Sequence, residues 1–357
     1  MRWTKFGRRQ KNMNTHNSFA YYKLPNRGDF RYIGSNLPPL HFSQLRDVTN
    51  DYSGFLIVPF DTEESPILLI SPETEEAGEI PVLPPLEVNQ EETESNINET
   101  YRHQFEACKT LLNGQVLQKI VLAHCFVADS ISQPSVRNLF LQAASAFPKC
   151  YVSLWHTAET GLWLTITPEV LLESTENTGW HTVALAGTMQ KEETEWSEKN
   201  KMEQQYVADY ITNVLKPFVS SITHSAVQTI EAAQLKHLRT DFYFTSETHI
   251  GKLLEVLHPT PAVCGLPKTR AYEVIKQIEL FPRKYYAGCS GPLNAYDTKD
   301  THLFVTLRCA HWKENSQMVY YAGGGLLKES DITEEWHEIN TKKRTAECIV
   351  TNHISTI

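Results

Sequence analysis

The sequence predicts an α+β fold made mainly of antiparallel strands, and three observations predict it. Apolar runs of strand length are dense from Lys119 onward, and turn residues separate several of them. Only a few segments carry helical periodicity. No GxGxxG leads from a strand into a helix and no P-loop sequence occurs, so the alternating βαβ classes find no support.

Taken in order, residues 17–70 read as mixed β-rich structure, with GFLIVPF (54–60) a buried strand. Residues 71–97 are rich in proline and glutamate with little periodicity, and read as a surface loop or linker. A helix is expected around 98–117. Beyond it come the strands KIVLAHCFVA, YVSLWHT, GLWLTIT, HTVALAG, HLFVTLRCAHW and QMVYYAGG. Three helices interrupt them. Residues 197–216 place Met202, Tyr206, Tyr210 and Val214 at intervals of four, as one apolar stripe. Pro267 suits a first helical position ahead of Ala271, Val274, Ile275 and Ile278. The last helix starts near Ser330 or Asp331, with Asp331 and Glu334 spaced for a capping box. There is no internal repeat.

The chain has 357 residues, 41% hydrophobic and 21% charged, enough to bury a sizeable core. No run approaches the roughly 20 apolar residues that span a bilayer. The start lacks the apolar core of a secretory signal. Seven cysteines are scattered singly without a CxxC, which reads as buried reduced thiols in a cytoplasmic protein. The net charge of −9 is uneven: five basic residues fall in 1–12, and fourteen acids with no Lys or Arg fall in 47–101. A basic start can signal nucleic acid or membrane contact. Here it reads as a disordered tail over 1–16, or as translation upstream of a start at Met13. The acidic stretch reads as a solvated loop region. Neither nucleic acid nor a membrane is expected as a partner.

Several residues have a chemistry of their own. HPTPAVCGLPKTRA (258–271) holds three prolines within ten residues, which makes an ordered loop entering a helix, with Gly265 allowing close backbone approach. Arg308 sits inside the apolar FVTLRCA, and a buried arginine needs a partner, by default a structural salt bridge. Glu338 and Lys342 stand at i and i+4 and can form a helix-surface pair. Glu203 can face solvent opposite the apolar stripe of its helix. The glycine run Gly323, Gly324, Gly325 lets backbone N–H groups approach an anion.

Five segments in order, QKIVLAH (118–124), TPEVLLE (167–173), ALAGT (184–188), the 258–271 loop and YYAGGGLLKESDITEEWHEINTK (320–342), resemble the chorismate-utilising enzymes, isochorismate synthases in particular. The resemblance runs from about 101 to 346, and 17–100 fits only loosely. It implies two packed β-sheets with helices outside, in one domain over 17–357, working as a monomer on chorismate with Mg²⁺. The downstream pathway, menaquinone or catechol siderophore, stays open.

The resemblance also assigns roles. Lys119 is the base that activates water, which requires surroundings that disfavour the ammonium. Glu169 is the acid for the leaving hydroxyl, which requires partial burial. Glu203 and Glu338 are magnesium ligands, and Glu335, one turn before Glu338, is a third candidate acting through a water. Arg308 grips the pyruvyl carboxylate, with Lys342 as its cationic neighbour and Gly323–Gly325 beside it. Gly187, Thr188 and Ala262 line the ring pocket, while His237 and Thr240 are peripheral. Anthranilate synthases usually read glutamine at the Lys119 position; amine-transferring relatives commonly read glycine then serine or threonine at Pro261-Ala262, and many salicylate-forming relatives also carry threonine there. Lys119 with Pro261-Ala262 therefore points to water addition without pyruvate elimination. Alternatives are a salicylate, anthranilate or aminodeoxychorismate synthase, or an inactive binding subunit. Departures are TITPE where many relatives read GATPE or GASPE, making Thr165 and Ile166 larger, and His124 in place of arginine.

Overall fold

A computed structural model describes residues 16–84, 96–128, 135–175, 179–233, 235–295, 300–313 and 317–355. Apart from His16, the expected tail lies outside the described residues. In chain order the elements are β1 (Ser18–Lys23), β2 (Asp29–Ser35), β3 (Leu40–Phe42), β4 (Gly54–Val58), β5 (Ile67–Ile70) and β6 (Thr74–Glu79). Then come α1 (Glu99–Asn113), β7 (Lys119–Ala128), α2 (Val136–Ala146), β8 (Tyr151–Thr157), β9 (Gly161–Thr167), β10 (Val170–Thr175) and β11 (Gly179–Gln190). Next are α3 (Glu198–Leu215), β12 (Ser221–His224), β13 (Gln228–Ala232), β14 (Leu235–Thr245), α4 (Ile250–Leu257) and β15 (Gly265–Leu266). The chain ends with α5 (Lys268–Ile278), β16 (Cys289–Leu293), β17 (Thr301–Val305), β18 (Cys309–Trp312), β19 (Met318–Leu326) and α6 (Ile332–Ser355).

The strands form two sheets, as the resemblance implies. The first runs β15-β7-β19-β18-β9-β8-β1-β2-β6 and the second β12-β14-β11-β10-β17-β16-β4-β5-β3, with β13 added beside β14. The ladders are antiparallel. One apolar core lies between the sheets and takes in Trp155 and Trp163 of the first with Phe55, Leu56 and Phe304 of the second. Tyr151 and Phe304 stack across the gap at 4.1 Å. A second core packs α2 and α6 against the other face of the first sheet, through Phe140, Leu154, Ile166 and Ile349. All seven cysteines are buried and unbridged. Among the described residues no helix is long and apolar enough to cross a membrane.

Five local expectations change. Among the described residues five α-helices, not three, interrupt the strands after Lys119, with α2 and α4 the two not expected. The stretch 71–97, read as a loop, contains β6, whose side chains are mostly exposed. It is a strand through backbone pairing to β2 at the sheet edge, which leaves no alternating apolar pattern to read. In α3 the buried stripe is Glu203, Val207, Ile211 and Leu215, not the one through Met202, which is 41% exposed. Both series repeat every four residues, so periodicity alone does not choose between them. Pro267 is the N-cap of α5 and not its first helical residue. Finally, HLFVTLRCAHW is two strands, β17 and β18, in different sheets. The start of α6 is as expected: Asp331 Oδ1 accepts from the N–H groups of Thr333 and Glu334 at 2.8 and 3.2 Å.

Candidate active site

Two crossovers between the sheets build the site. After β9 the chain leaves the first sheet and enters β10 of the second, placing Pro168 and Glu169 in the gap. After β17 it crosses back to β18, placing Leu307 and Arg308 opposite them. The crossovers are tied together: Val305 N–H donates to Glu169 O at 2.9 Å, and Ile166 N–H to Leu307 O at 3.4 Å. Pro168, Glu169, Leu307 and Arg308 all line one cavity. Arg308 has φ 48°, a conformation a continuous strand would not hold. The arginine read as lying in mid-strand thus sits at a break.

Glu169 is 4% exposed, and burial raises its carboxyl to about 8, with Lys119, Lys342 and Arg308 partly offsetting the effect. That shift favours the protonated form near neutral pH, which a proton donor requires. Arg308 is 5% exposed and has no ion-pair partner among the described residues. Its Nη1 donates to Ala232 O at 3.3 Å and its Nη2 to His237 Nε2 at 2.6 Å. His237 Nδ1 in turn donates to Gly187 O at 3.3 Å. A guanidinium can only donate and a carbonyl can only accept, so His237 is the neutral Nδ1–H tautomer. Burial and then the Arg308 charge hold its pKa well below the ordinary value. The structural salt bridge that a buried arginine normally demands is absent, and its place faces the cavity.

Lys119 is fully buried at the start of β7. The proline-rich loop fixes it from behind: Gly265 and Leu266 pair with Ile120 and Lys119. Gly265 has φ +151°, and a Cβ there would run into Lys119 O. Arg283, itself buried, donates to Val121 O and Val263 O, both at 2.7 Å, and binds strand and loop together. Ala262 lines the cavity from this loop.

Glu203 turns inward because it belongs to the buried stripe of α3. Its neighbour Gln204 clips that helix to β11, accepting from Ala186 N–H at 2.9 Å and donating to Ala184 O and Thr240 Oγ1, both at 3.1 Å. Thr240 is therefore structural. β11 bulges between Ala186 and Thr188. Gly187 sits there at φ +72°, where a Cβ would lie 2.9 Å from Asn200 O. Gly187 and Thr188 line the cavity with Gly323, Gly325 and Lys342.

Three carboxylates converge on β19. A Cβ on Gly325 would overlap Glu203 Oε1, and one on Gly324 would lie 3.0 Å from Glu335 Oε2 and 3.7 Å from Glu338 Oε1. Each carboxylate is held by a lysine: Glu203 by Lys119 (3.0 Å), Glu338 by Lys342 (2.6 Å) and Glu335 by Lys199. Lys342 Nζ also donates to Gly323 O at 3.0 Å. Among the described residues no three His, Cys, Asp or Glu side chains form a group that could hold a metal ion. Yet Glu335 Oε2 is buried without a hydrogen-bond partner among the described residues, on a residue only 1% exposed. An orphaned carboxylate oxygen beside two further carboxylates is a donor set that suits a hard cation.

The structure thus gathers Glu169, Glu203, Arg308, Lys342, Gly187, Thr188, Ala262, Gly323 and Gly325 on one cavity. Lys119 meets it through Glu203, while Gly324, Glu335 and Glu338 flank it. Sequence reasoning missed Lys199, although it stands one helical turn before Glu203. It also missed Tyr286 and Leu307, which line the wall and carry no local signal. His124 faces an aromatic cluster with Tyr101, Phe126 and Trp336, and burial lowers it to about 4, so it adds no charge. Thr165 and Ile166 are fully buried, Ile166 in the outer core away from the cavity.

Relatives share this architecture. The menaquinone-specific isochorismate synthase of Escherichia coli superposes with a TM-score of 0.76 at 20% identity, over 95% of this chain and 90% of that one. In sequence, the isochorismate synthase MenF of Pasteurella multocida is 30% identical over 243 residues, 63% of this chain and 55% of its own. Isochorismate synthase EntC of Escherichia coli K12 is 31% identical over 202 residues, 53% and 51% of the two chains. The alignments span about half the length of these curated relatives. The family model described as chorismate binding enzyme matches residues 72–346, well over half the chain and every site segment above, and this chain belongs to that family.

Proposed function

We propose that this chain is an isochorismate synthase, converting chorismate to isochorismate. The observation that carries the reading is the pairing of a buried, protonated Glu169 with an unpaired buried Arg308 across one cavity. Arg308 and Lys342 hold carboxylate of the substrate. Lys119, once it has given up the proton that its ion pair with Glu203 favours, takes a proton from water as its oxygen bonds to ring carbon 2. The ring double bonds shift, and the 4-hydroxyl leaves with the proton of Glu169 as water. Glu203, Glu338 and Glu335 would hold Mg²⁺ once the lysines now paired with them give way, and the ion would supply positive charge for the ring carboxylate. The chain acts as a monomer in the cytoplasm.

Two features support water as the nucleophile. Lys119 is a base where anthranilate synthases usually have glutamine. Ala262 puts a methyl group on the cavity where amine-transferring relatives commonly have a hydroxyl, which removes a hydrogen-bonding handle for an amine. Chromatography of chorismate incubated with enzyme, Mg²⁺ and ammonium salt should show isochorismate, reversibly formed, with little pyruvate. A dominant salicylate, anthranilate or aminodeoxychorismate peak would overturn the assignment within the family. No turnover with or without Mg²⁺ would favour a binding subunit.

A further inference from the structure

Of the three lysines at the carboxylate cluster, two have other work. Lys119 is fully buried at the end of a pinned strand, and Lys342 is anchored to Gly323 O. Lys199 differs. It stands in the first turn of α3, 16% exposed like Lys342, and its ammonium meets Glu335 Oε1 but no backbone carbonyl among the described residues. Ser330 Oγ donates to the same oxygen at 2.7 Å, which leaves Oε2 of Glu335 buried and unpartnered among the described residues. Glu335, Glu338 and Glu203 all act on Lys199 electrostatically, in that order. Of the three lysines it is thus the one that faces all three carboxylates without a backbone anchor among the described residues, and it is partly open to solvent.

We propose that Lys199 is a resident counter-cation of the three-carboxylate site, one that holds Glu335 when no divalent ion is present and yields it when one binds. This rests on the magnesium reading above. With the three lysines in place the three carboxylates are already balanced, so the cluster survives in the folded chain without collapsing or repelling itself. A divalent ion entering the cluster meets the like charge of Lys199 and must displace it. The residue thus weakens the site for Mg²⁺ and keeps it reversible. It touches no substrate in this account, so its effect is on metal affinity and not on the proton transfers.

Calorimetric titration of the full chain with MgCl₂ tests this. Lys199→Gln should bind Mg²⁺ at least tenfold tighter than the wild type and melt lower in its absence. Lys199→Arg, which keeps the charge, should bind no tighter than the wild type. Lys201→Gln, which removes an exposed lysine paired with Glu198, should track the wild type. A second measurement needs no variant: acetylation followed by peptide mass spectrometry should show Lys199 becoming more reactive on addition of Mg²⁺. Unchanged affinity in Lys199→Gln beside measurable binding by the wild type overturns the role of Lys199 and leaves the metal site standing. Unchanged acetylation at saturating Mg²⁺ does the same. If the wild type binds no Mg²⁺ at all, the magnesium reading fails and this one with it.

Discussion

Glu169→Gln separates the proton-donor role of this residue from a merely structural one. The side chain is 4% exposed and its carboxyl rises from 4.5 to about 8 on folding, first through burial. The folded state therefore holds this proton more tightly than the unfolded chain. The cost is absent below pH 4.5, grows as pH rises, and is complete above about 8. At about 1.4 kcal/mol per tenfold change in proton affinity, the ceiling is about 5 kcal/mol, less whatever relaxation and water entry relieve. Glutamine has nearly the shape of the protonated acid and does not titrate. The variant should gain stability relative to the wild type between pH 5 and 9, by about 2–5 kcal/mol. It should also lose turnover by about 10²–10⁴, because the amide cannot supply the leaving hydroxyl with a proton. Urea unfolding of both proteins at pH 5, 7 and 9 reads the first effect and isochorismate formation the second. Parallel stability curves across this range would show that Glu169 is ionised in the folded protein, and the acid assignment would fall with that result. In the wild type, turnover should decline as pH rises through about 8, as the donor loses its proton.

Two further perturbations probe other parts of the structure. Lys119→Ala should remove turnover by about 10²–10⁴ while chorismate binding, measured by fluorescence or calorimetry, is largely kept; near-normal turnover would exclude the lysine as base. His181 lies between Glu173 (3.1 Å) and Asp241 (2.8 Å) on the second sheet, with His302 on Glu173, Arg239 on Asp241 and the Tyr243 ring stacked on it. Burial opposes its charge, but Asp241 and Glu173 raise its pKa above 6.5. Its contribution to stability is therefore complete below pH 6.5 and lost as pH rises through the higher folded value. His181→Gln should cost about 1.5–3 kcal/mol at pH 6 and less at pH 9. An equal cost at both would mean the ring is neutral in the fold.

Much of the fold was legible because its strands are apolar and long. The boundaries of β7, β8 and β9 coincide with the apolar runs KIVLAHCFVA, YVSLWHT and GLWLTIT. What periodicity could not show is where the chain changes sheet. HLFVTLRCAHW is apolar throughout because both of its halves are buried, one in each sheet, and a buried run keeps no alternation that would mark the break. The only local sign is Arg308 itself, and a charge inside such a run admits two readings until its partners are known. The same holds for α3. Glu203 seemed to lie opposite an apolar stripe, but the helix turns the stripe through Val207, Ile211 and Leu215 inward and takes Glu203 with it. The roles of Glu203 and Glu338, 135 residues apart in sequence, came from resemblance because no spacing rule links them.

The electrostatics of the cavity follow from those two breaks. A strand running through the middle of a sheet has both faces packed and no room for a charge. A crossover opens the gap between sheets, so Glu169 and Arg308 can be buried without being pressed together into a salt bridge. Had they paired, the arginine would have pulled the carboxyl down and removed its proton. Instead His237, neutral and fixed by Gly187 O, takes one edge of the guanidinium with a lone pair and contributes no opposing charge. The acid stays protonated, and the cation keeps its remaining N–H groups for an anion arriving from outside. Proton donor and anion clamp therefore coexist within one low-dielectric space only because a neutral histidine stands where a carboxylate would otherwise be required.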